Sequence, residues 1–364
     1  MKKFYKFILI TFFFTFYISE NIFGQHVAAF KNFRDQFYVF DRGKTRLLEG
    51  RPIVRYEVGL NYVVYKDVNS RIKIYDNGEV KEVEGRSASV DKIYATDHLV
   101  VFTINGILYI FENGKFNRIT NFKTKYAVGD SIVAYIDGAR GMFEIYYEGK
   151  SRDIDDALNI ESFKAGDNVV AWVDRFNIFN IFYKNEIYEI PIFLMENYDA
   201  AKNIVAFNDQ EAPHFKVFWK GEEFLIDHFY PKEYKVGDNM VAFVDNMDSF
   251  KVFHKGNTTS LYSYPPNMFE IKDSIMVYAD DDFFNVFFQD RVYQLENFIP
   301  PSYKLGSGVV VYKDLNNRLN IFENGERKVI SYEPINYYEV YGNLVVYNVG
   351  VNEYHFYCNG KKFD

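Results

Sequence analysis

Apolar residues along this chain fall in short runs that repeat at a nearly constant spacing. Residues 167–174 (DNVVAWVD) and 238–245 (DNMVAFVD) are two copies of one unit, with an aromatic residue at the sixth position. Following that residue gives ten copies at steps of 33 to 37 residues. No window carries a sustained 3.6-residue apolar period, so the pattern predicts a repeat protein of short strands. The ten aromatic positions are Phe30, Tyr65, Phe102, Tyr135, Trp172, Phe207, Phe243, Tyr278, Tyr312 and Tyr347.

A second mark ends nine to eleven positions after each of these rings. It reads apolar, any residue, Val/Ile/Phe, aromatic, as in residues 179–182 (FNIF). Three residues beyond its last ring stands a turn residue, which suits a tight hairpin whose backbone needs a positive φ. Each unit therefore predicts four strands, named a to d here, with a tight turn between c and d. The turn residues are Gly43, Gly78, Gly114, Gly149, Asn185, Gly221, Gly256, Asp290, Gly325 and Gly360.

Strand b of each unit is apolar on both faces. In the fifth unit Val169 and Ala171 point one way, and Val170 and Trp172 point the other. A strand that is buried on both faces must lie between two sheets. Eight of the nine prolines fall between strand d of one unit and strand a of the next, where no ladder hydrogen bond is lost. The repeated rings are therefore predicted to form cores between neighbouring sheets.

These units predict an all-β fold, a β-propeller of about ten short four-stranded blades of ~35 residues each. Propellers typically have four to eight blades. We prefer a single ring over two five-bladed rings, because residues 190–197 between units five and six carry no Gly/Ser-rich linker. An open β-solenoid is a third option. The repeat begins at strand b and ends in a minimal strand d, which predicts a terminal blade completed by both chain ends.

The first 24 residues predict a secretory signal peptide, followed by propeller repeats over residues 25–364. Lys2, Lys3 and Lys6 precede about a dozen apolar residues, fewer than the roughly 20 that a membrane span needs. An uncleaved anchor is the alternative. Removing this segment takes away three lysines and Glu20, which leaves 39 basic and 49 acidic residues, a net charge of −10. No later segment could cross a bilayer as a helix, so we expect an exported protein that is periplasmic or associated with the outer membrane.

Composition narrows the classes of function. A net charge of −8 gives no global basic surface for nucleic acid, and 48% apolar residues argue against intrinsic disorder. A single cysteine, Cys358, excludes a disulfide framework and cysteine-based metal sites. The sequence shows no G-x-S-x-G elbow, phosphate loop or H-E-x-x-H spacing. We therefore assign no cofactor, no metal and no catalytic residue, and expect a non-enzymatic protein.

An aspartate stands two residues after the aromatic mark in seven units. One interpretation is a rim of carboxylates that binds cations; the other is a turn residue that accepts backbone N–H groups. None of the loops has the full calcium-loop spacing, so turn chemistry is the preferred interpretation. The seven residues are Asp67, Asp137, Asp174, Asp209, Asp245, Asp280 and Asp314.

The whole unit resembles the TolB/WD40-like propeller repeats of bacterial envelope proteins. The resemblance lies in Val-Ala-aromatic-x-Asp, a loop, Phe-x-(Ile/Val)-aromatic and a Gly turn, and it covers nearly all of residues 25–364. Those repeats usually carry a Ser-Pro-Asp-Gly-like turn before strand b, whereas this chain has Val128-Gly129-Asp130-Ser131. The resemblance implies a binding platform in the cell envelope.

Rings outside the repeated positions are the better candidates for binding, because the repeated ones are needed for the core. They lie in connectors, and we predict a contact patch of Tyr264, Pro265, Met268, Phe298 and Phe193. The expected function is a protein-interaction or scaffold subunit of the envelope whose partner is a protein, including an outer-membrane protein. The signal peptide, length and aromatic-rich propeller would suit the plug-like subunit of a type 9 secretion translocon. Two alternatives stay open: a lectin-like binder of glycans or cell-wall fragments, and a propeller hydrolase with an axial acidic site.

Overall fold

A computed structural model describes residues 27–83, 90–192, 195–209 and 213–363. The described chain forms ten antiparallel sheets in sequence order, nine with four strands and the first with three. Within each sheet, consecutive strands are hydrogen-bonded neighbours, so every sheet is a meander. These sheets are the predicted blades, and we number them 1 to 10.

The first five blades contain 19 strands. Their bounds are β1 Ala28–Lys31, β2 Phe37–Asp41 and β3 Lys44–Glu49 in blade 1; β4 Ile53–Val58, β5 Tyr62–Asp67, β6 Ile72–Asp76 and β7 Glu79–Glu82 in blade 2; β8 Val90–Ala95, β9 Val100–Ile104, β10 Ile107–Glu112 and β11 Lys115–Arg118 in blade 3; β12 Tyr126–Val128, β13 Ile132–Asp137, β14 Met142–Tyr147 and β15 Lys150–Asp156 in blade 4. Blade 5 follows a single 3₁₀ turn at Ala157–Asn159, and it comprises β16 Ile160–Ala165, β17 Val169–Asp174, β18 Ile178–Tyr183 and β19 Glu186–Pro191.

The other five blades repeat the same order. Their bounds are β20 Met195–Ala201, β21 Ile204–Asp209, β22 His214–Trp219 and β23 Glu222–Asp227 in blade 6; β24 Glu233–Gly237, β25 Met240–Val244, β26 Phe250–His254 and β27 Asn257–Tyr262 in blade 7; β28 Met268–Lys272, β29 Ile275–Asp280, β30 Phe283–Phe288 and β31 Arg291–Glu296 in blade 8. Blade 9 comprises β32 Ser302–Gly306, β33 Val309–Lys313, β34 Leu319–Glu323 and β35 Glu326–Ser331, and blade 10 comprises β36 Ile335–Tyr341, β37 Leu344–Val349, β38 Glu353–Cys358 and β39 Lys361–Phe363.

The turns between strands c and d confirm the predicted hairpins. All ten have positive φ at both central residues, the backbone of a type I′ turn. Asn77-Gly78 and Asn324-Gly325 use the residue pair that this turn favours most. Where glycine is replaced, as at Lys184-Asn185, asparagine takes the left-handed conformation at modest cost.

Ten apolar clusters hold the ring together, one at each junction between neighbouring blades. Val170 and Trp172 of blade 5 pack against blade 4, whereas Val169 and Ala171 pack against blade 6. All ten repeated rings are at most 4% exposed. One cluster joins blades 5 and 6 and another joins blades 10 and 1, so the molecule is a single closed ring and the prediction of inter-blade cores is confirmed.

Tyrosine hydroxyls add a polar contact to three of these junctions. Where the last ring of the strand c mark is tyrosine, the preceding blade ends its strand c in a carboxylate. Tyr75 donates to Asp41 (2.7 Å), and Tyr146 donates to Glu112 (2.7 Å). The third pair, Tyr357 and Glu323, repeats this geometry at 3.0 Å. Each pair satisfies a hydroxyl that burial would otherwise leave unpaired, so it fixes the register between blades.

Ring closure differs from the prediction. Among the described residues, blade 1 consists of strands b, c and d, and no strand from the C-terminal end joins its sheet. The idea of one blade completed by both chain ends is therefore wrong for this part of the chain. Side chains of blade 10 meet blade 1 instead: Tyr341 donates to the Ala29 carbonyl (3.0 Å), and Tyr354 donates to the Lys31 carbonyl (2.7 Å).

The antiparallel order gives the ring two different faces. Turns a–b and c–d lie on one, which we call the turn face; loops b–c and the connectors from strand d to the next strand a lie on the other, the loop face. In the described part of the chain, no helix is long and apolar enough to span a membrane.

Candidate functional site

The repeated aspartates shape the loop face. Asp174 Oδ1 accepts the backbone N–H of Phe176 (2.8 Å) and that of Ile178 (2.9 Å). Asp245 accepts the N–H groups of Met247 (2.9 Å) and Ser249 (2.8 Å) in the same way. Asp67, Asp137 and Asp314 also accept backbone N–H groups of their loops. The preferred interpretation, turn chemistry, is confirmed for these five.

At Asp67, Asp245 and Asp314 these hydrogen bonds also lower the carboxyl pKa. Burial alone would raise the pKa of Asp245, but the ammonium of Lys251 (2.7 Å) and the backbone donors hold it below its usual value. Burial alone would also raise the pKa of Asp67 and Asp314, but hydrogen bonds lower it, chiefly those donated by backbone N–H groups. The loops of Asp67, Asp245 and Asp314 are therefore anchored by ionised carboxylates across the neutral range.

The anchored loops present apolar side chains to solvent. Phe176 is 73% exposed and Met247 is 79% exposed, although each donates its backbone N–H to the anchoring aspartate. In the part of the chain that the structure describes, the b–c loops of six blades carry such an apolar tip: Phe33, Val68, Phe176, Met247, Leu315 and Val351. Connectors on the same face add Phe122, Leu158, Phe229, Tyr264, Ile299 and Tyr332.

The predicted contact patch lies partly on this face. Tyr264 is exposed and donates to Asp280 Oδ1 (2.9 Å), and Pro265 beside it is exposed. Met268 begins strand β28 and Phe298 lies in a connector; both are partly buried, which reduces the surface they can offer. Phe193 lies outside the described residues. Sequence reasoning missed the b–c tips, although four of the six lie one or two positions after a repeated aspartate.

The turn face has a different centre. Turns a–b meet around the axis and hydrogen-bond from blade to blade; we call them the hub. Ser131 N–H donates to the Asp167 carbonyl (2.8 Å), and Asp238 N–H donates to the Asp273 carbonyl (2.6 Å). Between blades 5 and 6, Asn203 N–H donates to Asn168 Oδ1 (2.7 Å). The hub surrounds a cavity of about 400 Å³ lined by five aspartates, namely Asp97, Asp130, Asp167, Asp238 and Asp273.

Burial shifts the carboxyl pKa values of the aspartates that line this cavity. It raises the pKa of Asp167 to about 7, and the charge of Asp238 acts in the same direction. Burial and the charge of Asp130 raise the pKa of Asp97 to about 6. Burial alone would raise the pKa of Asp130. The contact with His98, whose Nδ1 lies 2.6 Å from Asp130 Oδ2, outweighs burial and lowers this pKa. Near pH 7 the hub therefore holds a mixture of protonated and ionised carboxyls.

Within the described residues, no group of three His, Cys, Asp or Glu side chains is arranged to hold a metal ion. Two of the histidines instead contact single carboxylates: His98 with Asp130, and His254 with Asp290, each at 2.6 Å. The hub carboxylates belong to separate turns, and several serve the ring's own hydrogen bonds. Asp130 accepts the N–H of Asp97 (2.6 Å), for example.

Comparison with known proteins identifies the family. The model of the 10-bladed beta propeller domain matches residues 22–363. The chain belongs to this family. A search of the curated proteins gives no match for this ten-bladed propeller.

Several solved structures share the fold at low similarity. The designed protein Ika8 is 17% identical, with 77% of this chain and 96% of that one covered and a TM-score of 0.38. Hsv2p of Kluyveromyces lactis is 14% identical, covering 68% and 98%, with a TM-score of 0.34. PorZ, described as a surface component of the type-IX secretion system of Porphyromonas gingivalis, is 9% identical, covering 92% and 58%, with a TM-score of 0.29.

The raised hub pKa values predict how stability of the propeller depends on pH. A carboxyl with a raised native pKa binds its proton more tightly in the folded state. Its stabilisation is complete below the ordinary value of 3.8 and is lost as the pH rises through about 6 to 7. Asp167→Asn removes one such group, so we expect Tm to rise by roughly 2–5 °C at pH 8 and to change little at pH 5.

Differential scanning calorimetry at both pH values measures this effect. Asp282→Asn, in an exposed b–c loop, is the control and should shift Tm equally at the two pH values. An Asp167→Asn shift that is the same at pH 5 and pH 8 would show that this carboxyl is ionised throughout.

Proposed function

We propose that this chain is an exported, non-enzymatic β-propeller that acts as a protein-interaction subunit of the bacterial cell envelope. The observation that carries the proposal is the difference between its two faces. Among the described residues, twelve large apolar side chains project from the loops and connectors of the loop face. In the described part of the turn face, turns a–b and c–d carry no large apolar side chain that is exposed.

Exposure of these apolar side chains to water is unfavourable, and such side chains grouped on one face of a protein mark a contact surface. The tips do not arise from disorder of the loops, because the aspartate hydrogen bonds fix the backbone on either side of them. A fixed set of tips loses little conformational entropy when a partner covers it. The loop face is thus built to be held by another protein.

Charge and the N-terminus support the rest of the proposal. The net charge of −8 favours a partner with a basic contact surface and makes association sensitive to salt. The cationic and apolar start of the chain, residues 1–18, favours export. A place in an outer-membrane secretion complex is one form that such an envelope subunit could take.

The test is capture from fractionated cells of the source bacterium that express the tagged full-length chain. We expect the tag in the envelope or periplasmic fraction, crosslinked to one discrete protein. Phe176→Ser, Met247→Ser and Leu315→Ser together should reduce that crosslink at least tenfold, because each tip is over 70% exposed and contributes to contact and not to folding.

The matched control carries Leu47→Ser, Ile187→Ser and Leu225→Ser, three apolar residues exposed on the outer strand d of their blades. It should keep the crosslink. Equal loss in both triple variants would argue for unspecific adhesion of apolar surface, and a tag confined to the cytoplasm would overturn the envelope role.

A further inference from the structure

A second cavity lies away from the hub, where strands a of blades 3, 4 and 5 begin. It is a cleft of about 630 Å³, and we call it the lysine cleft. The tight b–c turn of blade 3, Asn105-Gly106, forms part of its wall. Gly106 has a φ of +80°, and a Cβ there would lie 2.9 Å from Lys123 Cβ. The short turn therefore lets the connector that carries Lys123 pass directly over it.

Three lysines line this cleft: Lys92, Lys123 and Lys125. All three are exposed, and among the described residues no carboxylate lies within 4 Å of their ammonium groups. Lys73 and Lys251, by contrast, each bridge two carboxylates. The lysine cleft is thus a local concentration of positive charge on an acidic protein.

The other walls of the cleft carry aromatic and hydroxyl side chains, which suit a molecular ligand better than a simple ion. Tyr94 and Tyr126 stand edge to face with ring centroids 6.2 Å apart, and Phe163 closes the far side. Thr124 and Ser162 bring hydroxyl groups to the same lining. Glu161 is the one carboxylate among the described lining residues, so the lining carries three positive charges against one negative.

Lysines that line one cleft repel one another, and a bound anion removes that repulsion. A volume of about 630 Å³ lies within the roughly 300–1,000 Å³ that small-molecule sites occupy. An extended peptide would need a longer groove. The ligand that fits is therefore compact, and it must carry more than one negative charge to engage lysines from two blades.

We infer that the lysine cleft binds a small polyanion with at least two carboxylate or phosphate groups, held by Lys92, Lys123 and Lys125. The lysine cleft lies on the loop face beside the exposed Phe122, but the inference does not rest on the proposed protein docking. The polycarboxylate and the phosphate ester are two sources of the same chemistry, and the titration below separates them.

Isothermal titration of the purified chain at low salt tests the inference with citrate, inositol hexakisphosphate and neutral myo-inositol. We expect saturable one-to-one binding of at least one polyanion and none of myo-inositol. The double variant Lys92→Gln, Lys125→Gln should weaken binding by about tenfold or more, since a hydrogen bond to a charged group contributes about 1.5–3 kcal/mol.

The control is Lys115→Gln, Lys150→Gln, which removes two exposed lysines from outer strands β11 and β15 and should leave the Kd within about twofold. Circular dichroism confirms that both double variants are folded. Absence of saturable polyanion binding, or equal weakening in both variants, would overturn the site. Tighter binding of a glutamate-rich hexapeptide than of either small anion would assign the cleft to an acidic protein segment instead.

Discussion

Gly129→Ala is expected to leave little or no soluble folded protein. A Cβ at this position would lie 1.8 Å from the Gly166 carbonyl oxygen and 2.8 Å from its carbon. Both are backbone atoms of the neighbouring a–b turn, so no side chain can rotate out of the way. Gly166 cannot retreat either, because its N–H donates to the Val169 carbonyl (2.9 Å) at the start of a fully buried strand.

The same crowding recurs around the hub, which explains why one methyl group should have so large an effect. At Gly59 a Cβ would lie 1.9 Å from the Thr96 carbonyl oxygen, and at Gly306 it would lie 2.0 Å from the Gly342 carbonyl oxygen. Moving one turn outward therefore pushes on the next around a closed ring. We expect a loss above about 5 kcal/mol, at the extreme of single substitutions.

Gly138→Ala in the b–c loop of the same blade is the matched control. A Cβ there meets no atom within 4 Å. This change should be neutral, or stabilising by up to about 1 kcal/mol through the unfolded chain. Soluble yield and urea unfolding compare the two variants. A folded Gly129→Ala protein with near-normal stability would show that the hub is looser than its backbone contacts imply.

Sequence periodicity was enough to predict most of the ring. The apolar unit at residues 167–174 contains strand b of blade 5, Val169–Asp174, and the second mark at residues 179–182 lies within strand c, Ile178–Tyr183. The reason is that each blade must bury both faces, so the pattern of rings and aliphatic residues is imposed ten times. The preference for one ring also rested on a physical cue, the missing linker between units five and six.

The hub could not be predicted in the same way. Its turn, Gly129-Asp130 and its equivalents, was seen only as a departure from a familiar turn sequence. The need for glycine comes from how closely neighbouring turns approach at the axis, and that distance depends on the number of blades and their tilt. The raised pKa of Asp167 arises from the same crowding, since it needs carboxyls from several blades around one cavity.

Candidate contact residues were predicted with less success because their signal is not periodic. Tyr264 was identified because an aromatic residue in a connector is conspicuous. The b–c tips differ in type, from Phe33 to Val351, so no repeated letter marks them. Four of them, Val68, Phe176, Met247 and Leu315, lie one or two positions after a turn aspartate, and this shared position becomes visible only when that aspartate is known to hold the loop.

The junction between blades 10 and 1 gives the second large effect. At its centre Phe356 stacks on Phe40, with ring centroids 3.9 Å apart and an interplanar angle of 9°. The equivalent position in blades 1 to 9 is Val or Ile, as at Ile145 and Ile321. The larger ring of Phe356 lies where blade 10 meets blade 1, the blade that has no strand a among the described residues.

Phe356→Ala should therefore cost about 3–5 kcal/mol and should also loosen this junction before the rest of the ring. Ile145→Ala, the same position between blades 4 and 5, is expected to cost about 2–5 kcal/mol without such local opening, because both blades there are complete four-stranded sheets. Hydrogen exchange distinguishes the two: in Phe356→Ala the amides of Ala28–Lys31 should exchange faster than global unfolding allows. If they exchange only with global unfolding in both variants, the ring closes as firmly at blade 1 as at any other junction, and the aromatic stack is ordinary core.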